Sequence, residues 1–229
     1  MSLEQKIEET VALLQHIERN YAPAVFANSL GAEDMVLTDL IVKHAPRIEI
    51  FSLDTGRLPE ETHRLMHELV NRYNIKLHTY FPEDLSVESY TRNHGHNAFY
   101  ESIELRQACC HIRKVEPLQR ALKDKKSWLT GLRQQQAATR ADLPVCELDV
   151  DHQMHKFNPL AEWKHVDVWA YLYQFDVPYN ELHDQGYPSI GCAPCTRAVT
   201  IGEDVRAGRW WWENPLTKEC GLHPKKTAT

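Results

Sequence analysis

Two cysteine pairs carry most of the chemistry legible in this sequence. Cys192 and Cys195 lie in Gly191-Cys192-Ala193-Pro194-Cys195-Thr196-Arg197, and a Cys-x-x-Cys spacing lets two thiolates share one metal centre. Cys109 and Cys110 are adjacent. Neighbouring side chains on a helix diverge by about 100°, so such a pair reaches separate irons of a cluster more readily than it converges on one small ion. By count alone, four thiolates suit either a zinc ion or an iron–sulfur cluster. The adjacency favours a 4Fe-4S cluster, and a set of reduced, buried thiols is the inert alternative. Arg106, Arg113 and Lys114 flank the first pair; Arg197, Arg206 and Arg209 follow the second. Cations so placed would balance an anionic centre or clamp a sulfate or phosphate.

Cys220 stands apart, in Lys218-Glu219-Cys220-Gly221-Leu222-His223, with Lys225 and Lys226 beyond. Positive neighbours favour the thiolate, the nucleophilic form, and a mobile tail can carry a thiol into a closed site and then present it to a partner. An incidental tail cysteine fits the same local pattern. The nucleophile reading gains its weight from the anion-binding features elsewhere. Cys146, in the expected strand from Val145 to Val150, has no cysteine near it in sequence and reads as a small buried residue.

These side chains need a scaffold. With 42% hydrophobic and 25% charged residues, the composition is that of a globular chain, and 229 residues bury a core without cysteine staples. A net charge of −6 gives no bulk case for binding nucleic acid or an anionic membrane. No apolar run approaches the ~18 residues of a membrane span, and Met1-Ser2-Leu3-Glu4-Gln5-Lys6 lacks a basic-then-apolar signal pattern. The expected location is the cytoplasm, where cysteines serve as metal ligands or redox thiols more often than as disulfides.

Leu3 to Tyr21 has the apolar spacing of an amphipathic helix. Strand-like stretches follow at Ala24–Ala27, Ile48–Leu53, Ile75–Tyr80 and Trp128–Leu132, separated by helical patterns at Asp34–His44, Pro59–Asn74 and Phe99–Leu122, with a last helix at His165–Phe175. Pro82–Asn97 reads as an irregular loop, in which His94 and His96 are solvated, and Pro117 as a kink or end of the long helix. Strands alternating with helices imply an α/β fold with a mainly parallel sheet flanked by helices. Ligands of such sheets sit beyond the carboxyl ends of the strands. That rim brings Ser29 and Gly31, in a strand-to-helix turn suited to an anion, beside Asp54 and Gly56. The expected organisation is one domain over residues 1–213 and a mobile tail over 214–229.

Cys109-Cys110-x-x-Arg113-Lys114-Val115-Glu116-Pro117-Leu118, Gly191–Arg197, Gly202–Trp212 and Lys218–His223 together resemble the assimilatory adenylyl-sulfate (APS) reductases, over a span from the Ser29–Asp34 loop to His223. The related 3′-phosphoadenylyl-sulfate (PAPS) reductases share the fold and tail and typically lack the two cysteine pairs. The resemblance implies an adenine-nucleotide alpha hydrolase-like (modified PP-loop) fold, with Cys109, Cys110, Cys192 and Cys195 holding a 4Fe-4S cluster. It implies that Cys220 attacks the sulfur of APS, that thioredoxin or glutaredoxin reduces the S-sulfo adduct, and that His223 is the histidine of the tail motif. Lys114, Arg140, Arg206 and Arg209 match family positions that contact substrate sulfate and phosphate or couple to the cluster. A homo-oligomer is a further family expectation. The wider pyrophosphatase superfamily has Ser-Gly-Gly-x-Asp-Ser where this chain has Ser29-Leu30-Gly31-Ala32-Glu33-Asp34. Asp34 in place of the last serine puts negative charge where a polyphosphate would sit, which disfavours ATP and fits an adenylate with one phosphate. The rival readings are a PAPS-preferring or dual-specificity reductase, an ATP-consuming enzyme that thiolates tRNA, and a cluster- or zinc-based sensor.

Overall fold

The computed structural model describes residues 1–137 and 140–214; Cys220 and His223 lie outside the described residues. The chain opens with α1 (Leu3–Asn20), started by a capping box in which Ser2 and Gln5 exchange side-chain and backbone hydrogen bonds. Then come β1 (Ala24–Ala27), α2 (Ala32–His44), β2 (Glu49–Leu53), α3 (Glu60–Tyr73), β3 (His78–Tyr80) and α4 (Asp84–His94). α5 (Ile103–Cys110) runs through a π-helical turn (His111–Val115) into α6 (Glu116–Leu122), followed by β4 (Ser127–Leu129), β5 (Cys146–Asp149), β6 (Met154–Phe157) and α7 (His165–Gln174).

The six strands pair in the order β3-β2-β1-β4-β6-β5, parallel throughout except for the β5–β6 pair. Alternation along β1 assigns its side chains to two layers. Phe26 packs with Leu37, Leu40, Leu65, Leu69 and Leu172 of α2, α3 and α7. Val25 packs on the other face with Phe51, Trp128 and Leu118, Ala121 and Leu122 of α6. After β1 the chain winds outward through β2 and β3, then returns to place β4 on the opposite side of β1. That reversal is a topological switch point, and it opens a crevice beyond the carboxyl ends of β1 and β4.

The parallel α/β expectation is met, three local readings are corrected, and one strand, β6, is added. Pro82–Asn97 contains a helix, α4, rather than an irregular loop; Tyr90 is its one buried residue, so the segment has no apolar stripe to announce it. The long helix expected over Phe99–Leu122 is broken: a short 3₁₀ turn at Ala98–Tyr100 precedes α5, and Pro117 enters at the start of α6 without ending the run. The π turn directly before it admits the proline where a regular ladder would demand its missing N–H. β6, beside β4, carries no period-2 apolar signal in Met154-His155-Lys156-Phe157. Cys146 is exposed on the edge strand β5, not buried. Replacing Cys146 with serine should therefore shift stability by no more than about 0.5 kcal/mol, read as an unchanged urea midpoint.

Candidate active site

The switch-point crevice is a cavity of about 820 Å³, lined among others by Ser29, Gly31, Asp34, Thr55, Lys114, Trp128 and Gly131. Its cationic wall is Lys114, Arg133, Arg140, Arg206 and Arg209, and Cys192 lies at one end. Seven of the residues singled out from sequence thus line one cavity: Ser29, Gly31, Lys114, Arg140, Cys192, Arg206 and Arg209.

The loop after β1 is filled from within. Asp34 is buried, and its carboxylate accepts the Ser29 N–H and the Ser29 hydroxyl, each at 2.6 Å. A Cβ on Gly131 would fall 2.0 Å from Asp34 Oδ1, so only glycine lets the β4 end approach this closely. Burial pushes the Asp34 carboxyl up to about 7; hydrogen bonds from Ser29 and Gly131 oppose the shift, and the Glu33 charge adds to it. The negative charge expected here from sequence is therefore partly quenched by protonation near neutral pH. Asp34 closes the loop mainly by occupying its donors.

Because the folded-state pKa lies above the ordinary 3.8, the folded protein binds the extra proton. Stability from this group is full below pH 4 and is lost as pH rises through about 7. Asp34→Asn should flatten that slope between pH 5 and 8 by up to roughly 2.5 kcal/mol, measured as urea midpoints across the range.

Beside it, Arg133 donates to Glu33 Oε1 through Nε at 2.9 Å and Nη2 at 2.6 Å. Burial would raise the Glu33 pKa, but the charge and hydrogen bonds of Arg133 outweigh it and hold the carboxyl below its usual range. Arg140 Nη1 donates to Gln136 Oε1 at 2.7 Å. His183, also on the cavity wall, has Nδ1 2.8 Å from the Tyr187 carbonyl. A carbonyl only accepts, so Nδ1 carries the proton, and the buried Nε2 has no partner among the described residues. Sequence reasoning missed Glu33–Arg133 and His183 as a set, since chain distances of 100 and 150 residues separate them from Glu33. Asp54 and Gly56, by contrast, are not among the lining residues: Asp54 accepts the Gly56 N–H at 2.8 Å and lies 2.8 Å from His63 Nε2. Thr55 between them does reach the cavity.

At the far end, Cys109, Cys110, Cys192 and Cys195 line a second, small cavity together with Arg57, Phe99, Arg106, Arg113, Lys114, Pro194 and Trp210. The first pair ends α5, and the second sits on a 3₁₀ turn at Ala193–Cys195. That turn is fixed from several sides: the Ala193 N–H donates to Arg57 O at 2.8 Å, the Tyr100 hydroxyl to Pro194 O at 2.6 Å and the Thr196 hydroxyl to Cys192 O at 2.9 Å. Thr55 Oγ1 lies 3.2 Å from Cys192 Sγ. Among the described residues, no three His, Cys, Asp or Glu side chains converge on a single ion position.

The thiols differ in charge preference. Burial pushes Cys109 up. It also pushes Cys195 up to about 12, reinforced by the charges of Cys192 and Cys110. Burial acts on Cys192 too, but Lys114, the Thr55 hydrogen bond, Arg209 and Arg113 together bring that thiol below its ordinary value. Trp210 is sandwiched between the Arg106 and Arg209 guanidiniums, 4.8 and 4.7 Å from its ring centre. A Cβ on Gly191 would fall 2.3 Å from Arg209 Nη2, so this glycine is what admits the arginine against the cysteine turn.

A family model described as the phosphoadenosine phosphosulfate reductase domain matches residues 23–198. The chain belongs to the phosphoadenosine phosphosulfate reductase family. Similar family members include the adenosine 5′-phosphosulfate reductase of Allochromatium vinosum, 53% identical over 218 residues, covering 95% of this chain and 85% of that protein. The one from Burkholderia cepacia is 54% identical over 221 residues, covering 96% and 88%. Among solved structures, a phosphoadenylyl-sulfate reductase from Candida auris in a phosphate complex superposes with a TM-score of 0.68 at 30% identity, over 87% of this chain and 98% of that one. FMN adenylyltransferase from Candida glabrata shares the fold alone, with a TM-score of 0.59 at 15% identity, covering 95% of this chain and 75% of that one. Among the described residues no helix is long and apolar enough to cross a membrane.

Proposed function

We propose that this chain is an adenylyl-sulfate reductase of assimilatory sulfate reduction. The crevice takes the adenylate, and the sulfated phosphate lies toward the cysteine end. The observation that carries this reading is that Lys114, Cys192 and Trp210 line both cavities, so the nucleotide crevice and the thiol set share a wall.

Cys109, Cys110, Cys192 and Cys195 would hold a 4Fe-4S cluster. Four thiols lining one cavity suit a centre in which each iron takes one thiolate. The buried Trp210 Nε1–H, without an acceptor among the described residues, is a further fit, since sulfur in that cavity would accept it. When bound, the cluster supplies fixed charge and rigidity beside the substrate rather than electrons for turnover.

The chain's own groups perform the rest. Lys114, Arg140, Arg206 and Arg209 bind the phosphate and sulfate oxygens. Ser29 and Gly31 shape the crevice. Asp54 and Gly56 support the β2 end from outside its wall. The Cys220 thiolate attacks the sulfur of APS; a sulfur–sulfur bond forms, the bond from sulfur to the phosphate oxygen breaks, and AMP leaves with its electron pair. Negative charge grows on the phosphate oxygens as that bond breaks, and fixed cations stabilise it more in the transition state than before it. His223, three residues beyond the nucleophile, accompanies it in the tail. A thiolate of reduced thioredoxin or glutaredoxin then attacks Cys220 Sγ, sulfite leaves with the bonding pair, and a second donor thiol resolves the mixed disulfide. The cytoplasm, where thiols stay reduced, suits both steps.

The test is turnover with reduced thioredoxin, following sulfite and AMP from APS and from PAPS. APS should be turned over in preference to PAPS, as the similarity to adenosine 5′-phosphosulfate reductases at about half identity leads one to expect. Preference for PAPS, or ATP-dependent AMP formation, would contradict the assignment.

A further inference from the structure

The reductase reading leaves a deeply buried ion pair, Arg106–Glu213, without a role. Arg106, on α5, is fully buried, and the Glu213 side chain is 4% exposed. The guanidinium grips the carboxylate with both prongs, Nε to Oε1 at 2.5 Å and Nη2 to Oε2 at 3.0 Å. The same guanidinium stacks on Trp210, and Arg106 lines the small cavity together with Cys110, one turn further along α5. Glu213 is held a second time, its N–H donating to Trp210 O at 2.8 Å.

Two features set this pair apart from ordinary packing. A buried charge pair gives little net stability, since desolvation of both ions offsets their attraction, so two apolar side chains would serve the core as well. A bidentate pair does fix register, however, because only one placement of the carboxylate satisfies both prongs. What it fixes is the start of the tail: Glu213 stands seven residues before Cys220. An extended chain covers at most about 3.3–3.6 Å per residue, so seven residues reach no farther than about 25 Å from Glu213.

We propose that Arg106 and Glu213 are positioning residues that tie the root of the C-terminal tail to the cysteine centre, so that an ordered metal centre and correct presentation of Cys220 are coupled. The guanidinium that grips Glu213 belongs to the helix turn that carries Cys110, and both residues line the cysteine cavity. Fixing Cys110 as a ligand fixes the last turn of α5, which carries Arg106, and Arg106 fixes where the tail begins. The proposal rests on the reductase reading for the role of Cys220, but the anchor itself can be tested without substrate.

The experiment uses full-length holoprotein carrying Glu213→Gln, which keeps shape and removes charge, and Glu213→Asp, which keeps charge and shortens reach. Three quantities are measured: iron content, the single-turnover rate of Cys220 adduct formation at saturating APS, and the rate of tryptic cleavage after Lys218. Glu213→Gln is expected to retain iron, to form the adduct about tenfold more slowly with the substrate requirement changed by less than about threefold, and to be cut at Lys218 faster than the native protein. Glu213→Asp should fall between them. Glu213→Gln holoprotein with native adduct and cleavage rates overturns the proposal. Should that variant fail to accumulate with iron, Glu213→Asp decides by the same two rates. The protease measurement is independent of APS chemistry, so an unchanged cleavage rate counts against the anchor alone, and a failed adduct in native protein counts against the reductase reading alone.

Discussion

Replacing Cys220 with serine should reduce sulfite formation to below about one part in 10⁴ of the native rate, while iron content and AMP affinity stay unchanged. A serine hydroxyl is un-ionised at neutral pH, so attack on the substrate sulfur would be slow without a dedicated base. Even a completed attack would lead nowhere. It would leave a sulfate ester, whose sulfur is bonded to oxygen, and a donor thiol has no Cys220 sulfur from which to displace sulfite. The substitution thus blocks both halves of the proposed cycle. It also separates the reductase from a cluster-based sensor, which would keep its function without Cys220. The measurement is sulfite release with excess reduced thioredoxin, paired with calorimetric titration of AMP.

Lys114→Ala should lower kcat/KM for APS by about 100- to 1000-fold. Lys114 follows the cysteine pair by four residues in the π turn and lines both cavities. Its ammonium is therefore placed to meet charge that appears on the leaving phosphate. One preorganised donor of this kind contributes about 2.7–4 kcal/mol in a water-excluded site. A lowered kcat would place the contact in the transition state, whereas a change confined to KM would make Lys114 a uniform binder of substrate. Lys114→Arg should restore only part of the rate, because a planar fork does not reproduce a compact point charge. Visible absorbance of the iron centre, recorded alongside, distinguishes loss of this charge from loss of the cluster, since Lys114 also lowers the Cys192 pKa against the effect of burial.

The parts of this site that could be read in advance were those encoded locally. Alternation of apolar strands with helical patterns revealed the parallel sheet, and the sheet placed the ends of β1, β2 and β4 at one rim. Cys109-Cys110 and Cys192-x-x-Cys195 were visible as pairs, and the structure brings them to one cavity. What escaped was what depends on distant partners. The Arg133–Glu33 pair spans 100 residues and the Arg106–Glu213 pair spans 107, and no spacing rule connects either. Asp54 looked like a rim ligand because it ends a strand, yet a neighbouring glycine N–H and His63 engage its carboxylate. Asp34 looked like a bare charge, yet burial raises its pKa to about 7 and Ser29 donates twice to its Oδ2. Cys146 was misjudged for a different reason from the missed β6: β5 does alternate, but its apolar residues Cys146 and Leu148 are the exposed ones, whereas Met154-His155-Lys156-Phe157 has no alternation to read.

The central claim is that the thiol set anchors and charges the site while Cys220 makes and breaks the bonds. Mass spectrometry of the holoprotein after mixing with APS, with no thioredoxin or other thiol present, tests it most directly. The account predicts one added SO₃ group, about 80 Da, on the peptide containing Cys220, with AMP released in equal amount and the adduct discharged as sulfite when thioredoxin is added. An unmodified Cys220 accompanied by AMP release, or an adduct on another cysteine, would contradict it.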